Sequence, residues 1–479
     1  MNRHTFLQRT VSGAFASLIP GEKRLAQKPA PKPASLLAQT PPLGWNSYNS
    51  YGVYLHEKAA FENLEAFEKL LKPHGYEYFV IDGGWAGEYA LIPGTLYPKE
   101  KHASVLAMDK NGLLEPGKTY WPNGLKPLIN QVHAKGLKFG IHLMRGIPRA
   151  AVDQNLPIAG SRYRLADIVD KSSICKWYPN TYGVDVRKPG AQDYYNSVFR
   201  KLAQWGVDLV KVDDLIPFPD EILMIGEAIR NCGRPMLYSL SPGNTTNLRD
   251  LPYYRQAQMV RITYDIWDRV EDFKTAFNRW RLFQGLGTPG FWPDLDMIPF
   301  GQLQLMQPAE YEGSGREVRM SGFGNARTSF LSKTEMQTFI TIRALAASPL
   351  MMGGDLPTLD DYSLALITNA DMLACNQNGN TGVLVYDKNQ TEVWLTNQKS
   401  RFGAGWFGIF NRSDQGQLVK LSVKELGLAH LPNVGTAKTT YKLHDIWNNA
   451  TLPIQEGSIE VSIPANGVVF CRYEGARSA

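Results

Sequence analysis

Between residues 43 and 354 the chain repeats one pattern: a short apolar run with strand character, then in most cases an amphipathic helix. The strand-like runs are LGWNSY (43–48), YEYFVID (76–82), LKFGIHLM (137–144), VDLVKVD (207–213), PMLYSL (235–240), QMVRITYD (258–265), GTPGFW (287–292) and PLMMGG (349–354). Phe61, Leu64, Phe67, Leu70 and Leu71 fall at helical spacing and stop at Pro73 and Gly75. Further helices are read over 124–136, 191–206, 220–233 and 333–348. Strands alternating with helices pair in parallel through right-handed crossovers. Eight such units predict an α/β fold, a (β/α)8 TIM barrel with long loops. An open doubly wound sheet is the alternative, and it is weakened because none of these strands is followed by a G-x-G-x-x-G turn.

After about residue 378 the pattern changes to short strands separated by turn residues, such as TEVWLTNQ, GAGWFGIFNRS and SIEVSIPANGVVFCRY. This predicts a C-terminal antiparallel β-sandwich over 379–479 behind a barrel over 39–378. Residues 1–38 hold a basic start, an apolar stretch from Val11 to Ile19 and a Pro/Ala-rich linker. They read as an export signal, placing the mature protein in the periplasm or outside the cell. A plain N-terminal tail is the competing reading.

The formal charge of +6 belongs mostly to that segment, whose first 35 residues carry six basic side chains against Glu22. The remainder is nearly neutral, which argues against nucleic acid as a partner. No apolar run is long enough to span a bilayer. The four cysteines (Cys175, Cys232, Cys375, Cys471) form no C-x-x-C pair. No zinc site or other metal and no cofactor is expected, and one disulfide is left open. Oligomeric state stays open as well, a homo-oligomer included.

In a barrel, the active site lies at the C-terminal ends of the strands. Asp82, His142, Lys211, Asp213, Tyr238, Arg261, Asp265, Asp294 and Asp296 all fall at or just beyond such ends. Each alone reads as a helix cap or loop residue; a shared face makes them a site. Paired carboxylates flanked by Lys, Arg and aromatic residues suit glycoside hydrolysis, in which one attacks the anomeric carbon and another protonates the leaving oxygen.

The same segments resemble glycoside hydrolase family 27, which includes α-galactosidases and α-N-acetylgalactosaminidases. PPLGWNSYNSYG is similar to that family's opening P-P-[ML]-G-W-N-S-W, GVDLVKVDDL to its G-[VI]-D-[LY]-[LV]-K-[YF]-D, and ASPLMMGGDL to its A-S-P-L-[IFM]-x-G-N-D-L. YEYFVIDGGW, LKFGIHLMRG, MVRITYDIWD, FWPDLDMI and LITNADMLACNQN match further motifs in the same order, from about residue 40 to 378. The resemblance implies a retaining mechanism with Asp213 as nucleophile and Asp265 as acid/base. It implies sugar contacts from Asp82, Lys211 and Arg261 and packing of Trp45 against the ring. His142, Tyr238, Ser241 and Asp296 complete the expected substrate-binding set.

Four departures stand out. Gly83 occupies the second position of an aspartate pair, His142 replaces a tyrosine, and Leu215 replaces a cysteine whose disulfide is thereby lost. Near Ser241 a small residue replaces a glutamate that reads the 2-hydroxyl, as in the N-acetylgalactosaminidase branch. Arg145 and Arg149 read either as a site for an acidic sugar or as partners of Asp185 and its neighbours. The expected activity is exo-hydrolysis of terminal α-galactosidic bonds in an oligosaccharide or polysaccharide. The alternatives are α-N-acetylgalactosaminidase, β-L-arabinopyranosidase and, from another class, a non-catalytic carbohydrate-binding protein.

Overall fold

In the computed structural model, which describes residues 37–100, 102–243, 245–306, 326–428 and 439–477, the strand-like runs form one parallel sheet. Its strands are β1 Leu43–Asn46, β2 Tyr78–Ile81, β3 Lys138–Met144, β4 Leu209–Asp213, β5 Leu237–Leu240, β6 Met259–Arg261, β7 Trp292–Asp294 and β8 Leu350–Met352. Each strand from β1 to β6 pairs with the next, and β8 pairs with β1. The last seam closes just past β7, where Ile298 bridges Met352 in parallel, with Ile298 N donating to Met351 O (2.8 Å) and Gly353 N to Ile298 O (2.9 Å). The fold is therefore the (β/α)8 barrel that the repeat predicts. All but the last two residues of the predicted export segment lie outside the described residues.

Strand pleating sorts the side chains. On β4, Val210 and Val212 pack outward into the helix layer. Leu209 faces inward and joins Tyr78, Val80, Leu237, Met259, Met297 and Met351 in an apolar plug inside the barrel. Lys211 and Asp213 share Leu209's face, so a period of two carries them above that plug. The helix Glu57–Leu70 buries Leu64 and Phe67, the latter edge-on to Phe79 at 6.0 Å. The helix Ala191–Trp205 stops at Gly206, whose φ of 95° lets its N–H reach back to Leu202 and Ala203.

Some boundaries differ from the sequence reading. Strand β7 begins at Trp292 rather than Gly287, and β6 ends at Arg261, so Asp265 sits in the following loop. The helix Val270–Phe283 has no counterpart in that reading. It carries Phe273, Ala276, Phe277, Trp280 and Phe283 on its buried side, but its sequence is mostly polar and its cap, Arg269, offers no side-chain capping bond.

The C-terminal strands form a six-stranded antiparallel sheet facing a two-stranded one, with Val393, Leu395, Phe407, Ile409, Leu421, Ile459 and Tyr473 between them. The opposite face of the larger sheet packs on the barrel's helices. Trp394 stacks on Trp280 at 3.7 Å, and Phe410 meets Phe277 edge-on at 5.0 Å. Burial of each such ring contributes at most about 4–6 kcal/mol. The sandwich thus braces the helix that directly follows the Asp265 loop. All four cysteines are buried and free. No described helix is long and apolar enough to cross a membrane.

Candidate active site

The C-terminal ends of the barrel strands open into a cavity of about 710 Å³. Asp82, His142, Lys211, Asp213, Arg261, Asp265 and Asp296 all line it. Lys211 is its electrostatic centre. Its Nζ donates to Asp82 Oδ2 at 2.8 Å and lies 3.8 Å from Asp213 Oδ1. Burial alone would push the ammonium towards neutrality, but Asp213 and Asp82 outweigh it and raise its pKa. Asp82 also accepts from Asn46 Nδ2 (2.7 Å) and from the N–H of Gly83 (2.8 Å).

Asp213 is held ionised. Burial favours the neutral acid, yet the charges of Lys211 and His142, the hydrogen bond from His142 and the charge of Arg261 carry its pKa well below the usual carboxylate range. His142 sits beside Lys211 in register on β3 and donates from Nε2 to Asp213 Oδ2 at 3.0 Å. The other oxygen, Oδ1, is buried with no hydrogen-bond partner among the described residues. Asp213 lines the cavity, and an ionised carboxylate with one oxygen free of hydrogen bonds has the chemistry of a nucleophile.

Asp265 has a different setting. Its side chain is 57% exposed and pairs with the buried guanidinium of Arg261. Arg261 reaches Asp296 Oδ1 at 3.3 Å, and Asp296 Oδ2 accepts the backbone N–H of Ile266 at 2.8 Å. Asp296 therefore grips the loop from both sides of Asp265, and both its oxygens are engaged. Burial pushes Asp296 up and Asp294 to about 6. The backbone of this segment is fixed in turn by Arg343, which is buried and donates to Leu295 O (2.6 Å) and Asp296 O (3.3 Å).

Several expected site residues lie elsewhere. Trp45 is fully buried in the outer layer, stacked on Phe79 at 4.8 Å with Nε1 bonded to Gly354 O, and it does not line the cavity. Tyr48, three residues on, does line it, with Asp265, Asp82 and Asp213 all close enough to raise its phenol pKa further after burial has done so. The signal was present as the second aromatic of LGWNSY. Tyr238 points out of the barrel into the helix layer, because Ser239, in register with Lys211, takes the inward position on β5. Ser241 is buried and lines a small cavity of about 30 Å³ beneath the site, with Lys211, Arg261 and Asp294, rather than the open one.

Arg145 neither faces Asp185 nor offers a free charge. It pairs with Glu221 (2.8 Å) and Asp214 (3.1 Å) and stacks on Phe218 at 3.6 Å. Asp214 takes a left-handed φ of 60°, uncommon outside glycine, and Arg145 Nε donates to both its carbonyl and its carboxylate. Arg149 instead lies over the Tyr182 ring at 4.6 Å. Asp185 is paired with Arg187. No cluster of three His, Cys, Asp or Glu side chains suited to a metal ion occurs among the described residues.

No family model matches the chain. A β-L-arabinopyranosidase of family GH27 from Geobacillus stearothermophilus shares 36% identity over 92% of this chain and 97% of its own, with a TM-score of 0.81. The chain belongs to glycoside hydrolase family 27. A Bacillus halodurans family-27-like structure, described as a candidate α-N-acetylgalactosaminidase, is 34% identical over 92% of this chain and 99% of its own, with a TM-score of 0.75. An α-galactosidase from Cyamopsis tetragonoloba is 26% identical over 90% of this chain and 85% of its own length. The protein is thus a glycosidase of the α-galactosidase type, and the carboxylate cluster around Lys211 is its candidate site.

The Lys211 arrangement makes a prediction. In the native protein, the depressed Asp213 contributes stability at neutral pH that is lost only as pH falls through its lowered pKa. Lys211→Met leaves two buried carboxylates without their main counter-charge, so their pKa values rise. The acid limb of the residual kcat/KM profile moves up by about one pH unit or more. Unfolding free energy at pH 7 falls by about 3–5 kcal/mol, a deficit that shrinks on acidification as the carboxylates protonate. Denaturant titrations and a pH–rate profile matching wild type in both respects would contradict the assignment.

Proposed function

We propose that the protein is a retaining exo-glycosidase that hydrolyses terminal α-galactosidic bonds of an oligosaccharide or polysaccharide. The observation that carries this reading is Asp213 itself: buried, ionised and with Oδ1 unengaged. In the first step, Asp213 attacks the anomeric carbon while Asp265 delivers a proton to the departing glycosidic oxygen. In the second, Asp265 takes a proton from water, which displaces Asp213 and releases the sugar with retained configuration. The exposure of Asp265 suits this exchange with solvent, and its tie to Arg261 keeps it aimed at one edge of the pocket. Lys211, Asp82, Tyr48 and His142 are assigned to the sugar, whose hydroxyls take charge-assisted hydrogen bonds there.

The test is hydrolysis of nitrophenyl α-galactoside, β-L-arabinopyranoside, α-N-acetylgalactosaminide and α-glucoside. Cleavage of the α-galactoside or its arabinoside counterpart is expected. Asp213→Asn should lower turnover by orders of magnitude while costing some stability through the lost partner of Lys211, and Asp265→Asn should lower it by roughly 10²–10⁴-fold with little loss of folding. Near-wild-type activity in either variant would sink the mechanism.

A second reading, β-L-arabinopyranosidase, is favoured by the 36% identity to the Geobacillus stearothermophilus enzyme, and Gly83 is the departure in the pocket through which it can be tested. β-L-Arabinopyranose has the ring geometry of α-galactose without its hydroxymethyl group. At residue 83 the nearest atoms to a Cβ would be those of His142 and Val53, at 3.5 and 3.6 Å, which is ordinary contact. A Cβ has room there, and Gly83 in the second position of the aspartate pair leaves one contact to the axial 4-hydroxyl unmade. Ser241 lies beneath the open cavity, so the α-N-acetylgalactosaminidase alternative rests on the 34% identity to the Bacillus halodurans structure rather than on that residue. Gly83→Asp is expected to raise the galactoside-to-arabinoside ratio of kcat/KM by about tenfold or more. An unchanged ratio would show that residue 83 does not read the sugar.

Export to the periplasm or beyond is also proposed, and it rests on the basic start and apolar stretch of residues 1–38.

A further inference from the structure

The catalytic cavity is much larger than one pyranose ring, and its outer part is aromatic. Of the exposed Trp, Tyr and Phe side chains among the described residues, only Trp177 (52% exposed) and Tyr264 (63%) line it. Tyr264 directly precedes Asp265. A general acid must lie within hydrogen-bond reach of the oxygen that it protonates. The leaving group therefore departs past Asp265, along the side of the cavity where Tyr264 stands.

Trp177 sits on the segment 171–180, between the short strands Val169–Asp170 and Thr181–Val184. Both strands belong to a three-stranded insert that starts at Ile147–Pro148, just after β3. The segment is tied to the site's own framework. Arg145 Nη2 donates to Ser173 Oγ at 3.0 Å, and Gly183 N donates to Ser173 O at 2.7 Å. The thiol of buried Cys175 donates to the carboxylate of Asp214, next to the nucleophile. Trp177 thus projects two residues beyond a buried anchor. A large indole held half out of a cavity forgoes the burial that favours tryptophan in a core. A pyranose presents an apolar C–H face of matching size, and an aromatic ring covers such a face without a specific hydrogen-bond pattern.

We propose that Trp177 is the platform for the sugar ring of the leaving group, with Tyr264 lining the same cavity beside Asp265, so that the natural substrate carries a glycosyl rather than a small alkyl aglycone. This rests on the glycosidase reading above. Glycosyl fluorides separate the two, because fluoride leaves as a small anion and needs neither a platform nor a proton.

The experiment compares kcat/KM for an α-galactosyl-terminated oligosaccharide (or its arabinopyranosyl counterpart) with that for the corresponding glycosyl fluoride. Trp177→Ala should lower the oligosaccharide-to-fluoride ratio about tenfold, and Trp177→Phe should recover most of it. The fluoride rate of each variant reports its folding in the same assay. A ratio unchanged in Trp177→Ala, or a loss equal on both substrates, overturns the platform. A wild-type protein inert on the fluoride overturns the glycosidase reading, and the platform with it.

Discussion

The site depends on one buried ammonium shared by two carboxylates. Lys211 stands on the inward face of β4, above the barrel's apolar plug, with Asp82 from the end of β2 on one side and Asp213 from its own strand on the other. Burying three such charges separately would be prohibitive. Together they are tolerable, because each supplies part of what the others lose on leaving water. The arrangement accounts for the composition of VDLVKVDD. The outward valines anchor the strand in the helix layer, and the inward Lys and Asp become the floor of the pocket.

Asp213 and Asp265 differ because their surroundings differ, and the fold sets those surroundings. Asp213 is the last residue of a barrel strand, so its backbone is paired and its side chain is fixed by His142 from β3. Asp265 lies four residues beyond β6, in a loop open to solvent. That loop is kept in place by Asp296, which binds Arg261 before it and Ile266 after it. Behind it, the helix Val270–Phe283 is clamped by the C-terminal sheet through Trp280 and Trp394. The sandwich thus acts at a distance, by holding the element that follows the Asp265 loop.

The barrel and the positions of the charged residues were legible because strand ends and charges coincide at the period that pleating imposes. Motif order pointed to Asp213 and Asp265 as a pair, and the structure brings both to one cavity. What the sequence left obscure were questions of side-chain direction. LGWNSY offers two aromatics, and only the path of the chain after β1 brings Tyr48 to the pocket and buries Trp45 against Phe79. Tyr238 looks like a strand-end site residue until the register with Lys211 turns Ser239 inward in its place. Arg145 looks like a free cation near the site, yet Glu221 from the helix that follows β4 neutralises it, a contact spanning 76 residues. Such partners are set by tertiary packing and leave no local trace.

Covalent trapping tests the central claim most directly. A 2-deoxy-2-fluoro glycosyl fluoride of the preferred sugar slows both steps of double displacement, and the departing fluoride favours accumulation of the glycosyl-enzyme. Peptide mass spectrometry of the inactivated protein should find the sugar esterified to Asp213. Labelling of Asp265 instead, or turnover with inversion and no covalent adduct, would contradict the account.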